Sequence, residues 1–209
     1  MSSALSTRIR KLTAQYPQGR SAVLPALRLA QEEHGGWLPP TALREVAEAL
    51  DVTPAYCLSI ASFYDQLRLE RAMAMCDDGL VRLPGGAPVS SRLLRSIGGR
   101  LGADGGSEEI HYLLERDPRS PAFGHDLAGL LPFTGRAPLY AVLHESSYAD
   151  GGVTDWSAAR VVPDDFVGDS TLLTAEHLFP WHFEDHPELA PYAEVAGLLA
   201  EHGWPRLYD

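Results

Sequence analysis

The sequence has only two cysteines in 209 residues, Cys57 and Cys76. That count excludes a disulfide framework and any four-cysteine zinc or iron–sulfur site held by this chain alone. Two buried, unreactive thiols are the expected state of the pair. Long apolar runs are missing as well: no stretch reaches the roughly 18–20 residues that a membrane-crossing helix needs. The opening stretch, MSSALSTRIRKLTAQYPQGR, is basic in places but has no apolar core segment. No secretory signal is expected from it, and the cytoplasm is the expected location. Basic charge is scarce in the remainder. Residues 1–75 hold eight Lys/Arg against seven Asp/Glu, whereas residues 76–209 hold nine against twenty-one. Such an acidic stretch repels nucleic acid and anionic membrane surfaces, so neither nucleic acid nor membrane insertion is expected.

What is present reads as a folded helical chain. Hydrophobic residues make up 45% of it, enough for one good-sized core or for a small domain beside a larger one. STRIRKLTAQYP predicts a short helix ended by Pro17. RSAVLPALRLAQEEHGGW follows, with Val23, Leu24, Leu27 and Ala30 near helical spacing, Pro25 in the first turn and Gly35 and Gly36 as the stop. PPTALREVAEALDV predicts a third helix with Thr41 as N-cap and Leu43, Val46, Ala47 and Leu50 on one face. TPAYCLSIASFYDQL predicts a fourth, with Thr53 as N-cap and Pro54 at its first position.

Further on, SSRLLRSIGGRL offers a hydroxyl cap ahead of Leu93, Leu94, Ile97 and Leu101. SEEIHYLLE offers a serine cap with acids in the first turn. PELAPYAEVAGLLAEHGW puts Leu189, Tyr192, Ala193, Ala196, Leu199 and Ala200 near one face, with Gly203 as the stop. The glycine pairs at 85–86, 105–106 and 151–152 read as turns. No strand–helix alternation occurs, so no parallel sheet is expected.

The first of these segments carries a specific pattern. The order YP.GR.SA..P.L...Q...GWL, then A..L.V.P, then ASFY resembles the N-terminal helical part of the small [2Fe-2S] subunit of complex I. That resemblance implies a following thioredoxin-like ferredoxin domain with two thiolates in a C-x4-C arrangement and a second C-x3-C pair. Cys76 matches the first ligand position, but Val81 stands where the next is needed, and no cysteine follows. The chain alone is therefore expected to hold no cluster, the remaining alternative being two cysteines bridging a dimer. The implied partner is the flavin-bearing subunit on which such helices dock.

From about Asp78 the likeness changes. LHESSYADGG.T.WSA.RV and FPW.FE, within a segment running to Asp209, resemble the helical cap of a bacterial prolyl aminopeptidase (proline iminopeptidase) of the α/β-hydrolase family. That family's cap shapes the pocket for a free N-terminus, and a carboxylate is well suited to a partly desolvated ammonium. The resemblance implies Glu115 and Glu176 as amine-facing acids, with Glu145 and Tyr148 as further pocket residues. Ala175 stands where the family has glycine before the second glutamate. The plainer reading of all these carboxylates is that they cap helices or form ion pairs.

Acyl transfer needs a serine elbow, G-x-S-x-G, with a histidine and an acid. GGSEE at 105–109 lacks the second glycine and stands at a helix start, and WPRLYD falls where the resemblance would return to the hydrolase core. Nucleophile, oxyanion hole and base are expected to be absent, so no catalytic residue is assigned and enzyme activity is not expected. His177, His182 and His186 lie close together in HLFPWHFEDH, and His182 and His186 could share a helical face around zinc. Pro180 and Pro187 interrupt that helix and no H-E-x-x-H occurs, so structural histidines are expected and no metal or other cofactor.

The expected architecture is all-α. A small complex I-like helical bundle over residues 1–70 is followed by a junction at 71–78 and a larger cap-like helical domain over 79–209. Neither a complete α/β-hydrolase sheet nor a thioredoxin-like domain is expected. Functionally the chain is expected to be a truncated fusion resembling the substrate-recognition cap of a prolyl aminopeptidase, non-catalytic alone, binding peptide N-termini or a protein partner, or self-associating through cap surface left uncovered. The alternative is an accessory NADH-quinone oxidoreductase small-subunit-like protein without its [2Fe-2S] cluster.

Overall fold

A computed structural model describes residues 4–133, 138–148, 151–164, 166, 172–175 and 177–204. Among these residues there is no strand, only an isolated antiparallel bridge between Arg82 and Pro88. The protein is mostly helical, and it divides into two compact units, Met1–Asp78 and Gly79–Asp209. No helix among the described residues is long and apolar enough to cross a membrane.

In the first unit the helices are α1 (Ala4–Thr13), α2 (Val23–Glu33), α3 (Pro40–Leu50), α4 (Pro54–Ala61) and α5 (Asp65–Asp77), with a 3-10 turn at Gly19–Ala22 before α2. The apolar stripes predict the packing well. Leu5 and Ile9 of α1, Ala26, Leu27 and Ala30 of α2, and Leu43, Val46, Ala47 and Leu50 of α3 form one buried cluster with Cys57 and Leu67. Gly35 (φ 68°) and Gly36 (φ 85°) adopt the left-handed region in which glycine carries no Cβ penalty, and together they end α2 after His34. Thr53 Oγ1 accepts the Tyr56 N–H at 3.2 Å, the expected cap.

Two expectations are corrected. Pro40 already occupies the first turn of α3 and Pro39 takes the cap position, so Thr41 is a helical residue and not a cap. The predicted fourth helix is two: the chain leaves α4 at Ser62 and re-enters helix at Asp65, whose charge favours the helix start. α5 then runs unbroken through residues 71–77, burying Ala72, Met73, Met75 and Cys76. Gln31, one turn beyond Leu27 on the same stripe, is fully buried; its amide donates to the carbonyls of Gly36 and Leu67, each at 2.9 Å.

The second unit begins with α6 (Ser91–Arg95), a 3-10 stretch (Ser96–Gly102), α7 (Gly106–Glu115) and α8 (Pro121–Leu130). Ser90 caps α6 by accepting the Leu93 N–H at 3.1 Å, as the hydroxyl pattern predicts. Leu93, Leu94 and Ile97 are buried, but the switch to 3-10 after Arg95 rotates Leu101 to the surface. Ser107 is not the cap of α7. Gly105, at φ 72°, makes that entry, and Ser107 already lies within the helix. Beyond α8 the elements shorten to single turns: Tyr140–Leu143 with 3-10 His144–Ser147, Ser157–Arg160, His182–Asp185, and 3-10 Ala190–Tyr192. A last helix, Ala193–His202, stops at Gly203 (φ 75°) as expected. Of its expected apolar face only Leu189 and Ala196 are buried, because the chain changes from 3-10 to α geometry between them.

Candidate functional site

The second half of the second unit is organised around Phe133. This fully buried ring stacks on His144 (centroids 5.7 Å apart) and meets the edge of His182 (5.5 Å), with Ala141, Leu178 and Leu189 completing the cluster and Trp156 and Phe183 packed against it. Aromatic and imidazole rings bury area while offering directional contacts, so a small core can be built from turns too short to pack as helices.

Glu145 follows His144 in the 3-10 turn and is only 2% exposed. Its Oε1 accepts the Ser157 N–H at 2.9 Å and the Ser157 hydroxyl at 3.1 Å. These bonds anchor the Ser157–Arg160 turn, which is entered through two left-handed non-glycine residues, Asp155 (φ 49°) and Trp156 (φ 54°). Such residues cost about 1–2 kcal/mol each, and an anchored carboxylate is the kind of surrounding contact that keeps them in place. The anchor sets Trp156 beside His144 at 6.0 Å, while Tyr148, half exposed, approaches the same imidazole edge-on at 6.4 Å. Glu145 thus adjoins in sequence a histidine whose ring meets those of Phe133, Tyr140, Tyr148 and Trp156.

The other expected site residues are placed differently. Glu115 closes α7 on the surface, its Oε1 3.5 Å from His111 Nε2 one turn earlier. Glu176 lies outside the described residues. Glu145 and Tyr148 therefore share one turn, and Glu115 belongs to a different helix. Ser157 and Trp156, which hold and flank Glu145, were not singled out from sequence. Their only signal was that both fall inside the distinctive segment T.WSA.RV.

His182 and His186 are buried with parallel rings 6.3 Å apart. Among the described residues no group of three His, Cys, Asp or Glu side chains could hold a metal ion. The pair is held by a polar clamp at its outer edge: Arg92 Nε and Nη2 each donate to Asp185 at 2.8 Å, Ser90 Oγ donates to the same carboxylate, and the Arg92 guanidinium lies 5.1 Å over the Trp181 ring. Burial by itself pushes the Asp185 carboxyl up, but the bonds from Arg92 and Ser90 and the Arg92 charge outweigh it and hold the group below the usual range. Asp185→Asn is expected to lower stability by about 1.5–3 kcal/mol at pH 7, the usual worth of charged hydrogen bonds. A depressed folded-state pKa gives stability above the unfolded value, lost as pH falls through the folded one. The gap between wild type and variant in urea midpoint should therefore be widest at pH 7 and narrow below pH 4.

The donor set does not suit an iron–sulfur cluster. Cys57 and Cys76 are both buried and free. Burial, and next the neighbouring Asp77 charge, push the Cys76 thiol up to about 12, whereas cluster ligation requires thiolate. Val81, five residues on, is fully buried as an apolar side chain and supplies no ligand.

Comparison with known proteins resolves the two resemblances. Residues 9–105 match the model of the thioredoxin-like [2Fe-2S] ferredoxin family, a match that begins in α1 and ends between the 3-10 stretch and α7. An E-type NADH-quinone oxidoreductase subunit of Rhizobium meliloti (strain 1021) is 36% identical over 98 residues, covering 45% of this chain and 58% of that protein. The corresponding protein of Mycobacterium bovis is 34% identical over 93 residues, or 43% of this chain and 36% of its own length. Proline iminopeptidase of Aeromonas sobria is 39% identical over 139 residues, covering 62% of this chain and 32% of that enzyme. The chain thus spans from a third to under three fifths of the curated relatives it matches, and it carries similarity both to a complex I small subunit and to a proline iminopeptidase.

Proposed function

We propose that the chain is a cytoplasmic, non-catalytic fusion of two recognition parts. Residues 1–70 are a complex I small-subunit-like helical domain, 71–78, carried to Asp77 as continuous helix by the end of α5, the junction, and 79–209 a prolyl aminopeptidase cap-like domain that binds the amino terminus of a peptide. The observation that carries this reading is Glu145: a carboxylate 2% exposed, fixed through one oxygen by Ser157, with Tyr148 and Trp156 about the neighbouring imidazole. Glu115 and Glu176 are the further acids proposed to face the amine, as the proline iminopeptidase likeness suggests.

Calorimetric titration of the full chain with Pro-Gly-Gly and with its N-acetylated form tests the proposal. Only the free amine should bind. Glu145→Gln keeps an oxygen for Ser157 and removes the charge, so it should weaken binding at least tenfold while the fold persists, about 1.4 kcal/mol or more. Glu176→Gln should do the same. Equal affinity for the acetylated peptide would end this reading. Prolyl-naphthylamide should not be hydrolysed, and turnover would overturn the non-catalytic part.

A second reading is favoured by the match over residues 9–105. In it the first unit makes the protein an accessory component of NADH-quinone oxidoreductase that docks on the flavin-bearing subunit without a cluster of its own. Co-purification with that subunit, with no iron in the sample, is the expected result; iron with visible absorbance would contradict it.

A further inference from the structure

The His182–His186 pair has a property that the amine-binding reading leaves unused. Both imidazoles are at most 1% exposed, His144 across the Phe133 ring is 4% exposed, and among the described residues the Nε2 atoms of all three lack a hydrogen-bond partner. An unpaired polar nitrogen in a ring-packed core is costly even when neutral. A second proton there adds a charge that the core cannot solvate, whereas in an unfolded segment water solvates it.

The surrounding groups offset that charge only in part: Asp185 favours the charged form of both histidines and Glu188 that of His186, but burial outweighs them. From the same segment come Asp185, Glu184 and Glu188; from α6 comes Arg92; from the Tyr140–Ser147 turns come His144 and Glu145; and His177 stacks on Phe179, whose ring also stacks on His182. The Asp185 carboxylate already accepts from Arg92 and Ser90. The Phe179 N–H lies 3.1 Å and its carbonyl oxygen 3.2 Å from His182 Nδ1, and the carbonyl favours a proton there less than burial opposes it. Two parallel imidazoles 6.3 Å apart would also repel each other once both are charged.

We propose that the Gly79–Asp209 unit is an acid-sensitive switch that opens its Phe133 core when His182 and His186 take up protons. Burial is the main cause that pushes His182 down to about 3 from its ordinary 6.5, and burial likewise lowers His186. A lowered histidine pKa means that the unfolded form binds the proton first. The contribution of neutral His182 is therefore complete above the unfolded value near 6.5 and is lost progressively as pH falls from there toward about 3, and that of His186 is lost in the same direction. Each proton taken up shifts the open-to-closed ratio tenfold per pH unit, so two give a hundredfold. That window lies mostly above the carboxylate range and so separates the histidines from ordinary acid unfolding.

The test uses the full chain, followed by near-ultraviolet circular dichroism and tryptophan fluorescence from pH 8 to 4. A cooperative loss of aromatic signal between about pH 6 and 4.5, with a slope near two protons, is expected. His182→Asn, which preserves a polar atom at the Nδ1 position, and His186→Gln should each reduce the slope by about one proton. If either variant fails to fold at neutral pH, urea midpoints of the wild type at pH 7.5 and 5.5 decide the matter. A clear fall at pH 5.5 supports the switch. Equal midpoints, or a transition confined below pH 4, overturn it, as does an unchanged slope in folded variants.

Discussion

Gly124→Ala is expected to lose the folded second unit or to destabilise it by more than about 3 kcal/mol, beyond the usual range for overpacking. A Cβ at this position would stand 2.1 Å from the Arg82 carbonyl oxygen and 3.3 Å from its carbon. Those are backbone atoms, and Arg82 is held in the bridge to Pro88 between the fully buried Val81 and Val89, so nothing nearby can rotate away. Either α8 withdraws from the Leu83–Ala87 turn or the bridge breaks. Gly129, five residues on in the same helix, faces open space: a Cβ added there would meet nothing within 4 Å. Gly129→Ala should therefore stabilise by about 0.5–1 kcal/mol, since alanine is the better helix former. Urea unfolding of both variants checks the pair: opposite signs locate the effect in close backbone approach, and two similar stabilisations would mean that α8 does not rest on Arg82.

The first unit was largely legible because its helices are long enough for a stripe to repeat. Leu43, Val46, Ala47 and Leu50 mark α3 and all are buried; Thr53 before Pro54 marks the start of α4. The split between α4 and α5 was not legible, because Ser62, Phe63 and Tyr64 are neither strong breakers nor badly spaced. Their exit from helix is a tertiary choice that leaves Phe63 exposed while Leu67 enters the core. In the second unit, the four-residue turns after Leu131 are too short to show a period at all. Phe133 as a hub, and Glu145 as a buried anchor and not a surface acid, arise from contacts across twelve to fifty residues. The same limit applies to Ser107, whose expected cap role lost to Gly105. A residue able to adopt φ 72° ahead of the helix removes the need for a hydroxyl there.

Cysteine chemistry shows how a resemblance and a site can part. The family match over residues 9–105 includes both cysteines, yet Cys57 contributes to the apolar core of the first unit and Cys76 sits buried in α5. Their surroundings favour the neutral thiol, the opposite of what iron requires. Similarity here follows the helical packing and does not extend to ligand positions, so function must be argued from the residues present.

Phe133→Ala is expected to cost about 3–5 kcal/mol, the range for removing a fully buried phenylalanine. The ring touches both halves of the short-turn core, stacking on His144 from the 3-10 turn and meeting His182 edge-on. Its loss leaves a cavity lined by Leu178, Leu189 and two imidazoles, and the turns around it lack the length to close in as helices. Trp156 and Trp181 lie at opposite ends of the same ring network, so their fluorescence reports the damage directly. The variant should shift both toward solvent-exposed emission and bind a hydrophobic dye. The first unit, whose core is drawn from residues 5–67, should keep its own unfolding transition. Phe133→Leu, which refills most of the volume, should recover much of the loss. A cost below about 1 kcal/mol for the alanine variant would mean that the imidazoles and Leu189 support the core without the ring. In that case the acid response of His182 would have to be transmitted through Trp181 and the Arg92 clamp instead.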